Sequence, residues 1–230
     1  MKGSNQEIYD LACRYYNGDG VRKDWRRAFL LTKQAACNGY PDAMDALGSS
    51  FRYGIGVRRN SKLAARWYRK AAKTGHLGAQ CNLALSYAEG SGVPQSYRRA
   101  LAWLKIPVLR KMPEAIHMIG RFYRFGCGVR KNIPKGYRLL LRAAQRGVTA
   151  AMFSVGYCLS RGVGVSSDPR LAFKWYMRAA RKGHIEAAYN VGYYYEVGRG
   201  VKRDVKAARR WYRVAARLGD RDARRALDRI

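Results

Sequence analysis

The stretch AAYNVGYYYEVGRGVKRDVKAARRWYRVAARLG, residues 187–219, decides the fold. Ala187, Val191 and Tyr195 fall at i, i+4 and i+8, which is one apolar face of a helix. Gly198 and Gly200 stop that helix, because glycine readily takes the left-handed backbone at a helix end. Asp204 then offers a short side chain that accepts bonds from the free N–H groups of a first turn, so a second helix begins there. It runs through Trp211 and Ala215–Ala216 and ends before Gly219. No run in the chain alternates with the period of two that a strand needs.

The same pattern recurs. GDGV, GIGV, GSGV, GCGV, GVGV and GRGV start at Gly18, Gly54, Gly90, Gly126, Gly162 and Gly198, always 36 residues apart. Ala-Ala pairs fall at Ala35, Ala71, Ala143, Ala179 and Ala215, each followed by a glycine (Gly39, Gly75, Gly147, Gly183, Gly219). Ala12, Gly48, Ala84, Gly120, Gly156 and Gly192 form a small-residue slot, and Trp67, Trp103, Trp175 and Trp211 share another. The cap slot holds Asp24, Asn60, Ser96, Asn132, Asp168 and Asp204, and Pro169 follows at the first helical position, where its missing donor costs nothing. A fixed period of this size means stacked helical hairpins, because one hairpin alone cannot bury its apolar faces.

These residues carry a resemblance. The pattern A-x-x-x-L-G-x-x-Y-x-x-G-x-G-V, followed by a capped helix with A-x-x-W-Y-x-x-A-A-x-x-G, resembles the Sel1-like repeat, a relative of the tetratricopeptide repeat. Repeat six fits best, through Ala187, Val191, Gly192, Tyr195, Gly198, Gly200, Val201, Ala207, Trp211, Tyr212, Ala215, Ala216 and Gly219. The resemblance covers nearly the whole chain. It implies an all-α fold, a right-handed α/α solenoid of six helical hairpins plus a C-terminal capping helix, and a role in protein–protein interaction rather than catalysis. The expected repeats span about 6–41, 42–77, 78–113, 114–149, 150–185 and 186–221 of one array, with the cap helix at 222–230.

Repeat three departs from the pattern. Ile106-Pro107-Val108 replaces the Ala-Ala region and Lys111 replaces the glycine. A proline inside a helix removes one hydrogen bond and costs roughly 3 kcal/mol if forced. Residues 105–113 therefore read as an irregular joint between two three-repeat halves, or as a decayed repeat with a shortened helix.

Composition narrows the function. No segment approaches the roughly 20 apolar residues of a membrane span. The start, Met1 to Asp10, lacks the apolar core of a signal peptide, which points to the cytoplasm; a removed leader replaced by an initiating Met would look the same. Cys13, Cys37, Cys81, Cys127 and Cys158 occupy different repeat slots and form no C-x-x-C, against a disulfide framework or a zinc site. The histidines are dispersed, with His76 and His184 three periods apart. The G-x-G-V loops follow helices, unlike a dinucleotide-binding loop, which follows a strand. No cofactor, metal or catalytic residue is expected.

The net charge is +31, and 13 bases face one acid, Glu114, between Tyr97 and Arg146. Lys62, Arg66, Arg69 and Lys73 form one helix stripe, and Lys206, Arg210, Arg213 and Arg217 repeat it on a second helix of the hairpin, expected to face outward. Single stripes are ordinary solvated faces. Excess charge of this size opposes a compact fold unless counter-charges are near, which points to an acidic partner.

First-helix positions expected to point into a concave groove include Tyr9, Tyr16 and Phe125, and the candidate partner-binding residues Tyr53, Asn82, His117, Arg121, Arg124, Phe153, Tyr157, Arg161, Tyr189, Asn190 and Tyr193. Tyr and Arg carry interface energy, Arg engages carboxylates in bidentate fashion, and an Asn amide can bond a peptide main chain. Some of these aromatics are equally suited to packing between layers. The sequence thus reads as a non-enzymatic adaptor for an acidic or extended protein segment. Alternatives are an immunity-type protein that wraps a toxin and a repeat protein that binds nucleic acid through its basic surface. Attachment to an anionic membrane lacks an apolar anchor.

Overall fold

A computed structural model of the chain describes residues 4–230; Met1–Gly3, the first part of the polar N-terminal stretch, lie outside the described residues. Those residues contain thirteen helices and no strand. They fall into two compact units, one ending at Arg110 and one beginning at Lys111.

The first unit holds three hairpins: α1 (Asn5–Asn17) with α2 (Trp25–Cys37), α3 (Pro41–Tyr53) with α4 (Ser61–Lys73), and α5 (Leu77–Glu89) with α6 (Tyr97–Leu109). The second holds α7 (Pro113–Phe125) with α8 (Ile133–Gln145), α9 (Thr149–Arg161) with α10 (Pro169–Arg181), α11 (Ile185–Val197) with α12 (Val205–Arg217), and the cap α13 (Arg221–Arg229). Helices α1 to α12 are each 13 residues long, because the same stop and start signals recur in register.

Each loop is locked by its own chemistry. Gly18, Gly54, Gly90, Gly126, Gly162 and Gly198 end the first helices in the left-handed conformation. The cap residue after each loop then works twice. The Asp204 side chain accepts from the Ala207 N–H at 2.9 Å, while its own N–H donates to the Tyr195 carbonyl at 2.9 Å. Asp24, Asn60, Ser96, Asn132 and Asp168 cap α2, α4, α6, α8 and α10 in the same way. Such a cap contributes roughly 1 kcal/mol to its helix.

The small-residue slot has a partner on the second helix. A Cβ placed on Gly48 would lie 2.6 Å from the Tyr68 ring; Gly156 meets Tyr176 at 2.8 Å and Gly192 meets Tyr212 at 2.7 Å. Where the second helix carries leucine instead of tyrosine, Leu104 faces Ala84 and Leu140 faces Gly120. Helices approach as closely as the ring between them permits. The alanines of the repeat, such as Ala71, Ala143, Ala179 and Ala215, are fully buried in this seam.

At Gly56, Gly92, Gly164 and Gly200 the second glycine of the loop serves stacking. A Cβ on Gly56 or Gly92 would collide with the carbonyl of Trp25 or Ser61, at the start of the second helix of the preceding hairpin. A Cβ on Gly200 would lie 2.5 Å from the Pro169 carbonyl in the same sense. The contact is to main chain, so only glycine fits.

The helix expected to fail at Pro107 does not fail. Helix α6 runs to Leu109, as long as its neighbours, with Pro107 buried inside it. The irregular stretch is therefore narrower than 105–113: 105–109 are helical, and the departure is confined to the turn after them. There Lys111 occupies the slot of the junction glycines at φ 57°, the one described non-glycine residue with positive φ. At the C-terminus α13 buries Ala223 and Ala226 and turns Arg224 and Arg225 outward, as a polar end cap should.

Candidate partner-binding surface

In the second unit, three first helices present equivalent positions outward. Arg121 on α7, Tyr157 on α9 and Tyr193 on α11 share one repeat slot, and all three are exposed. Three residues on, Arg124 reaches across to the next hairpin. Its guanidinium lies 4.8 Å over the Tyr157 ring and 4.9 Å over Phe125. A cation over an aromatic face near the surface is held by roughly 0.5–1 kcal/mol, which restrains the half-buried arginine. Arg161 is exposed at the end of α9. The arrangement suits a chain that offers carboxylates and flat apolar groups.

Other candidates sit in packing. Phe153 stacks on His184, centroids 4.5 Å apart and planes at 18°, between successive hairpins. Tyr189 leans on Tyr212 at 5.4 Å. Asn190 is half-buried. Phe153 and Tyr189 share the slot of His117, which lies one turn before the outward slot and turns toward the next layer. In the first unit, Tyr53 is exposed beneath Arg52, 5.7 Å from its ring. Asn82 was expected to offer its amide to a peptide. Instead its Nδ2 donates to Asp45 Oδ1 at 2.8 Å. Asp45 went unnoticed in the sequence; its signal was an acid in a first-helix slot otherwise filled by rings, cysteine or histidine.

His117 is the most perturbed group of the set. Burial first, and then the charge of Arg121, lower its pKa to about 4, and its Nε2 is buried without a hydrogen-bond partner. The ring is therefore neutral in the folded chain, whereas the unfolded chain takes a proton near its ordinary 6.5. The unfolded state binds more protons, so stability is highest above pH 6.5 and declines as pH falls toward 4, by up to roughly 3 kcal/mol from this group. We expect His117→Phe to flatten that decline, measured as the urea midpoint at pH 7.5 and pH 4.5. An equal loss in variant and parent would remove His117 as its cause.

Histidines also serve as caps. The Nδ1 of His76 accepts from the Ala79 N–H at 3.0 Å, and its Nε2 meets Asp42 at 2.8 Å. His184 accepts from Ala187 at 3.4 Å, and burial lowers its pKa against the pull of Glu186.

The basic stripes on α4 and α12 are exposed along their length. Among the described residues, carboxylates meet lysine or arginine at Arg27–Asp24, Arg52–Glu89, Arg225–Asp222 and Arg229–Glu196. Exposed pairs of this kind contribute little, about 0–1 kcal/mol. The field of the remaining cations stays directed at solvent. No helix among the described residues is long and apolar enough to cross a membrane.

The Sel1 repeat family model matches residues 8–40, 41–76, 78–106, 113–148, 149–184 and 185–220, with its widest lapse between repeats at 107–112. A crystal structure of a Sel1 repeat protein from Oxalobacter formigenes is similar over 99% of this chain and 66% of its own, at 32% identity and TM-score 0.81. The c5321 protein, a protective antigen present in uropathogenic Escherichia coli strains, is similar over 98% of this chain and 48% of its own, at 28% identity and TM-score 0.72. The chain thus spans about two thirds of the first relative and half of the second. The immunity protein PA5088 from Pseudomonas aeruginosa shares the fold over 95% of this chain and 82% of its own, at 19% identity and TM-score 0.65. No curated protein matches the chain.

Proposed function

Because this chain belongs to the Sel1 repeat family, we propose that it is a non-enzymatic adaptor that holds an acidic, extended protein segment along its first helices. Sel1 repeats mediate protein–protein interaction, and their hairpins offer an extended surface rather than a cleft. The observation that carries the reading is the Arg124 guanidinium held over Tyr157, with Arg121, Arg161 and Tyr193 exposed on α7, α9 and α11. Arginine forks match carboxylates, and tyrosine rings add contact area at small entropic cost. A toxin is one partner of that kind; the likeness to Pseudomonas immunity proteins is one of fold alone. The same reading places the chain in the cytoplasm, since its five cysteines occupy five different repeat positions, unsuited to stapling successive repeats.

The test is capture from nuclease-treated lysate, followed by identification of what is retained. We expect the double variant Arg121→Glu/Tyr157→Ala to lose the retained protein with unchanged helical content. Unchanged capture would place the binding face elsewhere. A second reading, nucleic-acid binding, is favoured by the exposed stripe Lys206, Arg210, Arg213 and Arg217. It requires a labelled single strand to bind tightly at physiological salt, with affinity that falls steeply as salt rises.

A further inference from the structure

The slot opposite the small residue of each hairpin reads Thr32, Tyr68, Leu104, Leu140, Tyr176, Tyr212. Five of these side chains fill the seam. Thr32 does not, and a cavity of about 320 Å³ remains in the first unit, where α1, α2 and α3 meet. Ala12, Ala28, Phe29 and Ile55 supply its apolar wall, and Cys13, Asp45 and Ser49 its polar edge.

We propose that this cavity is a binding site for a small monocyclic phenol. The shape comes from the repeat itself: the space left beside Thr32 is the space that a phenol ring occupies at Tyr68, Tyr176 and Tyr212. The far end is polar in those hairpins too. The hydroxyl of Tyr68 lies 3.2 Å from Ser49 Oγ, and Cys13 holds the corresponding position in the first hairpin. The hydroxyl of Tyr212 donates to Glu196 at 2.6 Å. In the cavity a carboxylate arrives from the neighbouring first helix instead. Asp45 is held in place by the Asn82 amide and lines the cavity, where its carboxylate can accept from a phenolic O–H. The volume stands at the lower end of the range for ligand pockets, roughly 300–1,000 Å³, which favours one ring over a larger molecule.

The probe is 4-methylphenol, titrated into the full chain and followed by heteronuclear NMR. Saturable amide shifts confined to α1, α2 and α3 are expected. 4-Methylanisole, which lacks the donor, should bind roughly tenfold more weakly, since it leaves the carboxylate without its hydrogen bond. Thr32→Leu reproduces the Ala84–Leu104 pair, and Ala12→Gly with Thr32→Tyr reproduces the Gly48–Tyr68 pair; both should abolish binding and raise the melting temperature. Absence of saturable shifts in the parent chain, shifts outside these helices, or undiminished binding by a folded Thr32→Leu variant would each overturn the assignment. The NMR readout of the parent chain decides the matter even if a filled variant fails to fold. The site is built from residues of the first unit and the Arg124–Tyr157 surface from residues of the second, so neither reading depends on the other.

Discussion

Gly92→Ala is expected to destabilise the chain by roughly 3–4 kcal/mol, as two independent costs meet at one atom. The residue sits at φ +76°, and a methyl group there collides with the Ser61 carbonyl of the preceding hairpin. The main chain of α4 cannot rotate away as a side chain can. Gly75→Ala is the control. It carries the same kind of backbone angle, φ +90°, with nothing within 4 Å of the added carbon. It should lose only about 1 kcal/mol, the conformational cost alone. Urea unfolding followed by circular dichroism measures both. Equal losses would mean that the G-x-G loops are shaped only by their backbone angles, with no role in stacking.

The second large effect has the opposite sign. Pro107 occupies the slot filled elsewhere by Ala35, Ala71, Ala143, Ala179 and Ala215, each fully buried. Proline has no N–H to give the Trp103 carbonyl, and its ring crowds that turn. Pro107→Ala should therefore stabilise the chain by about 2–3 kcal/mol. Lys111→Gly, which relieves the left-handed lysine at φ 57°, should add about 1 kcal/mol. The two sites share one helix end, so the double variant should fall somewhat short of the sum. A melting temperature unchanged by Pro107→Ala would show that α6 accommodates its proline without strain.

What the sequence disclosed follows from where the information is local. The cap at Asp204, the stop at Gly198 and the length of α12 are set within a few neighbouring residues, and the 36-residue period repeats that reading along the chain. The persistence of α6 through Pro107 was not legible in this way, because the burial of the surrounding seam outweighs one lost hydrogen bond. Phe153 and Tyr157 lie one helical turn apart, yet one packs on His184 and the other faces solvent. That division depends on how successive hairpins are rotated, which no single hairpin encodes. The pairing of glycine with tyrosine was present in the sequence as a correlation between slots, in Gly48 with Tyr68, Gly156 with Tyr176 and Gly192 with Tyr212. It could be recognised only once the facing helices were known.

The loop glycines have a consequence for how such a chain can change. Gly56 and Gly92 rest on the backbone of the hairpin before them, a surface that looks much alike whatever side chains it bears. The small residue and the side chain that faces it, by contrast, are matched inside each hairpin. Gene segments can therefore be duplicated, deleted or shuffled with little penalty when the crossover falls at a turn such as Gly39 or Gly75. A crossover inside a hairpin would set Ala84 against Tyr68 and fail. Whole-hairpin exchange is then the route by which surfaces of new specificity arise on an unchanged frame.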